Sequence, residues 1–411
     1  MGIKLGLVGL GSFGGCFAPL FASHPAVSSL ALCDAEESKV KRFAEDPVIA
    51  KKLDKNCVFT SFDDICKSDV DALAIITQPW LHAPQCIQAL EHGKDVYSAV
   101  PVICLPDDDE MLDWCHKIME AEAKSGKHYM LGETTIYRPQ TMFCKRMAKQ
   151  GLFGDFVFAE AEYAHDLDCA CCSLRQVKIS RRTGKIGQQA DAFFKPYYDR
   201  GCHDHPMAYP THSVSGVVEV MQAKPLQVSA YGYRNANNDP HFEHTDFSNI
   251  VAMFKMSNGA AFRVAELREI SPNIGLQDED FRIFGTRGSY SYSDWRNNGR
   301  TAPTPEPKEN VSQKLSDKEM RDPLPAEVAD AFNMALNKDA KPGDDFVPGG
   351  HGGSHPYLVH EFVSAVAENR QPLISIRKAA TYMAMGVAAH KSAQKDGELI
   401  KVEDFGITWD N

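Results

Sequence analysis

"LGLVGLGSFGG", Leu5 to Gly15, is an apolar run that breaks into glycines and then resumes as a helix-like segment, Gly15–Ser23. Gly9, Gly11 and Gly14 stand in the order G-x-G-x-x-G. In that order the first glycine allows a tight turn and the second lets the backbone approach a pyrophosphate. The third lets helix and strand pack closely, with the helix N-terminus facing the negative charge. The stretch Gly9, Leu10, Gly11, Ser12, Phe13 and Gly14 is therefore the candidate dinucleotide loop. Asp34 ends the next apolar run, 20 residues after Gly14. A carboxylate there accepts hydrogen bonds from the adenosine ribose and repels a 2′-phosphate, which favours NAD over NADP.

Working outward, short apolar runs alternate with helical patterns through the first 130 or so residues. The strands expected are Lys4–Leu10, Ser29–Asp34, Val58–Thr60, Ala72–Thr77, Asp95–Val100 and His128–Gly132, with helices such as Pro84–His92 and Asp108–Lys124 between them. That alternation predicts a doubly wound parallel sheet, an α/β domain over residues 1–130. From about Gly154 the texture changes. "DFVFAEAEYAH", "SNIVAMFKMSNGAAFRVAEL" and "FRIFGTRGSYSYSD" alternate or run apolar, with glycine turns between them, which predicts a large open antiparallel sheet. Loops rich in Pro, Gly, Lys or His follow at Thr301–Asn310 and Lys338–His355. Helices at Pro356–Asn369 and Ile376–Asp396 close the chain. The second domain, residues 131–411, is thus α+β.

Composition narrows the function classes. The chain has 411 residues, 43% hydrophobic and 24% charged, and a formal net charge of -11. So acidic a protein is not expected to bind nucleic acid or an anionic membrane surface. No apolar run reaches the roughly 18 residues of a membrane span. Met1 leads straight into a strand-like run rather than a basic segment with an apolar core, which gives a cytoplasmic reading. The twelve cysteines are scattered through apolar segments and are expected to be reduced thiols. "CACC" at Cys169–Cys172 and "HDH" at His203–His205 lack the paired spacing of a zinc site, so no metal is expected. The chain contains no G-x-S-x-G. A two-carboxylate glycosidase would leave the dinucleotide loop without a role.

"ITQPWLHAP" places Thr77, Gln78 and Pro79 at the end of the fourth strand, where a strand end meets the cofactor, with His82 opening the next helix as a nicotinamide-side candidate. "VYSAVP" ends the fifth strand with Ala99 and Val100, which offer no acid, base or lysine.

Taken with "TQPWLH", "GKDVYSAVP", "YRPQTMFCKRMAKQGLFGD", "FGTRGS" and "HEFVSAVAENRQPLISIRKA", the glycine loop resembles that of the Gfo/Idh/MocA oxidoreductases. The resemblance spans nearly the whole chain. It implies a Rossmann domain followed by an open antiparallel sheet, a nicotinamide cofactor, sugar or polyol substrates, and a homo-oligomer formed through that sheet. Most members end the fifth strand in Glu-Lys-Pro and use the lysine in proton transfer; here the residues are Ala99-Val100-Pro101. Many also carry an aspartate four residues before a catalytic histidine; here Ala208 precedes His212.

A closer resemblance, through "YPTH" (Tyr209–His212), "YMLGE" ending at Glu133, "EAEYAHDL" around Tyr163 and "GGHGG" around His351, is to the NAD-dependent glycoside hydrolases typified by bacterial α-N-acetylgalactosaminidases. It implies cleavage by transient oxidation at a sugar carbon, with the cofactor not consumed, and three readings stand. These are a redox-neutral glycosidase, a net sugar or polyol dehydrogenase, and a non-catalytic NAD-binding regulator. In the first, Tyr209 and His212 serve the oxidised carbon, Tyr163 takes the C2 proton, and Glu133 and His351 contact the leaving group or hydroxyls.

Overall fold

The computed structural model describes residues 2–168, 173–271, 279–298 and 311–409. Strands β1 (Ile3–Val8), β2 (Val27–Cys33), β3 (Leu53–Phe59), β4 (Ala72–Ile75), β5 (Asp95–Ser98) and β6 (Tyr129–Leu131) alternate with α1 (Ser12–Ser23), α2 (Glu37–Ala44), α3 (Phe62–Lys67), α4 (His82–Glu91) and α5 (Asp108–Ser125). All six strands are parallel, in the order β3-β2-β1-β4-β5-β6. Strands buried on both faces read as continuous apolar runs, which is why β1 and β4 stand out in the sequence. α5 starts where the Asp107 side chain accepts from the Glu110 amide at 3.2 Å, and it ends at Gly126 with φ 66°.

The chain continues through α6 (Pro139–Lys149), β7 (Phe156–Ala164), α7 (Leu174–Thr183), α8 (Ala190–Asp199) and α9 (Thr211–Met221). Then come β8 (Pro225–Tyr233), β9 (Asn249–Met256), β10 (Ala261–Leu267), β11 (Glu279–Gly285), β12 (Gly288–Ser291), β13 (Asp294–Asn297) and β14 (Val311–Lys314). Helices α10 (Asp317–Met320), α11 (Ala326–Leu336), α12 (His355–Glu368) and α13 (Ile376–Ala393) precede the short β15 (Ile400–Lys401). The later strands form one nine-stranded sheet, β14-β13-β12-β11-β7-β10-β9-β8-β15. It is antiparallel except for one pair, β7 with β10, which run parallel. β9 shows the period of two plainly: Ile250, Ala252, Phe254 and Met256 are buried, while Val251, Met253 and Lys255 are exposed.

The chain divides into two units. The first comprises Met1–Tyr137, Ile179–Pro196 and Pro323–Ala380; the second comprises Arg138–Lys178, Tyr197–Asp322 and Thr381–Asn411. In the first, Tyr97 on β5 is the hub of an aromatic core. Its ring centroid lies 5.8 Å from Phe17, 5.9 Å from Phe21 and 5.7 Å from Phe362 on α12. Burying each such ring stabilises the fold by about 1.5–3 kcal/mol. In the second, every residue of α9 is buried, and the helix packs on β7, β10 and β11. Among the described residues no helix is long and apolar enough to cross a membrane.

Candidate active site

The dinucleotide loop lies in the first unit. Gly9 holds φ +89°, and a side chain there would meet the Ile76 carbonyl oxygen at 2.1 Å. Gly14 presses so close to the same turn that a Cβ would lie 2.0 Å from the Gly9 oxygen. The backbone at Gly11 faces open space. Gly11 caps α1 without a side-chain hydrogen bond to the first turn, and that turn, from Ser12, carries no acidic residue. Helix-terminal amides with no side-chain cap are a site for an anion. Asp34 accepts from the Leu10 amide at 2.8 Å and from the Glu36 amide at 2.9 Å. Its carboxylate therefore fixes the loop and the strand end together. These residues fit a dinucleotide: a cradle closed to any side chain at Gly9 and Gly14, and open at Gly11.

The neighbouring strand ends complete this edge. The Thr77 hydroxyl donates to the Gln85 side-chain oxygen at 2.6 Å, and the Gln78 amide donates to the Arg181 carbonyl at 3.4 Å. Pro79 is buried at the head of a one-turn 3₁₀ helix, and Ala99 and Val100 are buried and apolar. His82 is buried, with Nδ1 2.8 Å from the Pro101 carbonyl and Nε2 3.2 Å from the Thr77 carbonyl. Burial pushes its pKa down to about 4, so the ring is neutral and can donate to one of these carbonyls at a time. The ring thus faces backbone, bracketing the ends of β4 and β5.

Glu133, also in the first unit, is fully buried, and its Oε1 accepts from the Thr135 amide at 2.8 Å. His351 is exposed and holds φ +35°, a strained value for a residue with a side chain. Its ring lies 5.4 Å from Phe13 of the glycine loop, and its Nδ1 lies 3.0 Å from Nε2 of His355, whose ring stacks on Phe17 at 4.2 Å. "GGHGG" therefore packs against the helix that opens the dinucleotide loop.

The second unit brings three candidates together. Tyr209 precedes α9, His212 lies in its first turn, and Tyr163 is on β7. The His212 ring lies 5.1 Å from Tyr163 and 5.1 Å from Tyr209, and the two phenols are 6.5 Å apart. Around them stand residues that the motif reading missed. Glu279 Oε2 lies 3.8 Å from His212 Nδ1 and 2.6 Å from Arg138 Nη2. Glu266, fully buried, accepts from the Ser213 hydroxyl and from Arg268. Burial pushes the Glu266 carboxyl up to about 7, against the lowering pull of Arg268 and Ser213. A signal for both glutamates was present. Glu266 continues the inward alternation of Phe262 and Val264, and Glu279 begins that of Phe281 and Ile283. An acid at a core-facing strand position requires a partner.

Of the two metal-like motifs, Cys169–Cys172 lies outside the described residues. In the other, His205 stacks on His390 at 3.5 Å with an interplanar angle of 7°.

Residues 3–133 match the model of the oxidoreductase family Gfo/Idh/MocA, NAD-binding Rossmann fold. The chain is 26% identical over 224 residues to an alpha-N-acetylgalactosaminidase of Shewanella oneidensis, a match covering 53% of this chain and 44% of that protein. It is 25% identical over 224 residues to a glycosyl hydrolase family 109 protein of Shewanella baltica, with the same coverage. The matched region thus spans less than half the length of these curated relatives. Among solved structures, aldose-aldose oxidoreductase from Caulobacter crescentus has a TM-score of 0.66 at 16% identity, covering 98% of this chain and 100% of that one. Scyllo-inositol dehydrogenase from Lactobacillus casei with bound NAD(H) and scyllo-inositol has a TM-score of 0.63 at 15% identity, covering 98% and 99%. Residues 3–133 therefore carry the NAD-binding Rossmann domain of the Gfo/Idh/MocA oxidoreductases, with NAD as the cofactor.

Proposed function

We propose that the protein acts on a carbohydrate and cleaves a glycoside by transient oxidation, with no net redox change. The observation that carries this reading is the imidazole–phenol cluster of His212, Tyr163 and Tyr209 in a chain that has valine, not lysine, at position 100. Bound NAD⁺ supplies an acceptor for a hydride from one ring carbon, taken as C3, and a donor for its return. Tyr209 and His212 take the hydroxyl proton at that carbon and give it back at the end of the cycle. Tyr163 takes the C2 proton, made acidic by the adjacent carbonyl, while the glycosidic C1–O bond breaks. Glu133 and His351 contact the leaving group or the ring hydroxyls. Water then adds, hydroxyl to C1 and proton to C2. The names of the curated relatives favour a glycoside as the substrate.

Incubating the protein and NAD⁺ with a panel of aryl glycosides in heavy water tests the proposal. Released phenol, deuterium at C2 of the sugar and no accumulated NADH are the expected results. Stoichiometric NADH from an uncleaved sugar would replace this reading with a net dehydrogenase. NAD binding with no turnover of any sugar would leave a regulator.

We further propose a second copy of this chain as the partner of the nine-stranded sheet. Tyr231, Val251 and Met253 stand exposed on one face of β8 and β9, and exposed apolar patches on a sheet mark an interface. Sedimentation velocity is expected to show an oligomer; a monomer at micromolar concentration removes this partner.

A further inference from the structure

Tyr163 stands in the middle of a row laid down by three strands. Glu266 of β10 and Glu279 of β11 are its register partners, so all three side chains leave the same face of the sheet. Each glutamate meets its own arginine. Arg268 Nη2 donates to Glu266 Oε2 at 2.5 Å, and Arg138 Nη2 lies 2.6 Å from Glu279 Oε2. Arg268 also reaches Tyr163 itself. Its guanidinium carbon lies 4.4 Å from the centroid of the Tyr163 ring, and its Nη1 donates to the Tyr163 carbonyl at 3.0 Å.

We propose that Arg268 is a positioning residue that holds the Tyr163 ring and favours its phenolate form, with Glu266 as the counter-charge that sets how much of the cation the ring feels. The proposal rests on Tyr163 acting as the base described above. Carboxylates on both flanking strands oppose a negative charge on the phenol; a cation against the ring offsets them. Other groups that face the ring include His212 and Tyr209, 5.1 and 6.5 Å away, and His165, 5.5 Å away just past the end of the same strand. Arg268 is buried enough for its charge to act in a medium less screening than water, with 11% of its side chain exposed. Its several bonds leave little freedom to swing away. Burial pushes the Glu266 carboxyl up to about 7, so its charge, and with it its demand on Arg268, grows as the solution turns alkaline.

The test is a pH titration of tyrosinate ultraviolet absorbance in the full-length protein without sugar, with the Tyr163 share found by subtracting Tyr163→Phe. Arg268→Met is expected to move that share to higher pH by about one unit or more. Arg268→Lys, which keeps the charge, is expected to restore most of it. Glu266→Gln, which keeps an oxygen to accept from Arg268 and turns an NH2 toward the Ser213 oxygen but drops the negative charge, is expected to move it to lower pH. An unchanged position in Arg268→Met overturns the proposal. If that variant does not fold, an unchanged or upward position in Glu266→Gln overturns it instead. No substrate enters this titration, so failed glycoside cleavage and a failed titration are separate results.

Discussion

Replacing Gly9 with alanine is expected to weaken NAD binding on the order of 100-fold or more while leaving the second sheet folded. Two costs add at this position. The backbone is held at φ +89°, a conformation that costs a non-glycine residue on the order of 1–3 kcal/mol. The new methyl would also lie 2.1 Å from the Ile76 carbonyl oxygen, well inside contact distance, so the loop must shift away from β4. That shift carries the Leu10 amide off the Asp34 carboxylate and misaims the start of α1. Each 1.4 kcal/mol lost is a factor of ten in affinity. Calorimetric titration with NAD⁺ measures the loss, and circular dichroism checks the fold. Binding within a factor of three of the parent would mean that the cofactor does not use this cradle.

His212→Ala is expected to lower sugar turnover by about 10²–10⁴-fold, the usual contribution of one proton-transferring group, with NAD affinity unchanged. His212 sits in the second unit against Tyr163 and Tyr209, whereas the glycine loop belongs to the first. The two measurements therefore separate. Single-turnover rates of sugar oxidation, followed through NADH absorbance in a rapid mixer, report the proton step directly. Turnover equal to the parent's would remove His212 from the reaction and with it the proton path through the cluster. Loss of NAD binding in the same variant would point to misfolding instead.

What could be read in advance follows how locally each feature is encoded. The glycine loop, its strand, its helix and Asp34 lie within one short segment, and motif spacing alone placed them. Buried strands such as β1 and β4 are legible as apolar runs. β3 is expected only at Val58–Thr60, because it lies at the sheet edge and its first half, Asp54, Lys55 and Asn56, is polar and exposed. α7 was not foreseen, since it buries none of its residues and so has no apolar stripe. The parallel pairing of β7 with β10 brings Tyr163 beside Glu266, far apart in sequence, and strand periodicity says nothing about which strands pair. For the same reason the arginines were missed: Arg138 and Arg268 acquire meaning only beside their glutamates. His82 opens the helix that follows the fourth strand, as the sequence reading has it, but the direction of its ring toward two carbonyls is beyond any reading of spacing.

The aromatic hub around Tyr97 has a consequence for how the protein is made. Phe17, Phe21 and Tyr97 are synthesised before Phe362, which closes over two of them and follows the whole run of β7 to β14. Until then the nascent first sheet carries an uncovered greasy patch, so chaperone capture and premature aggregation would concentrate in that interval of translation.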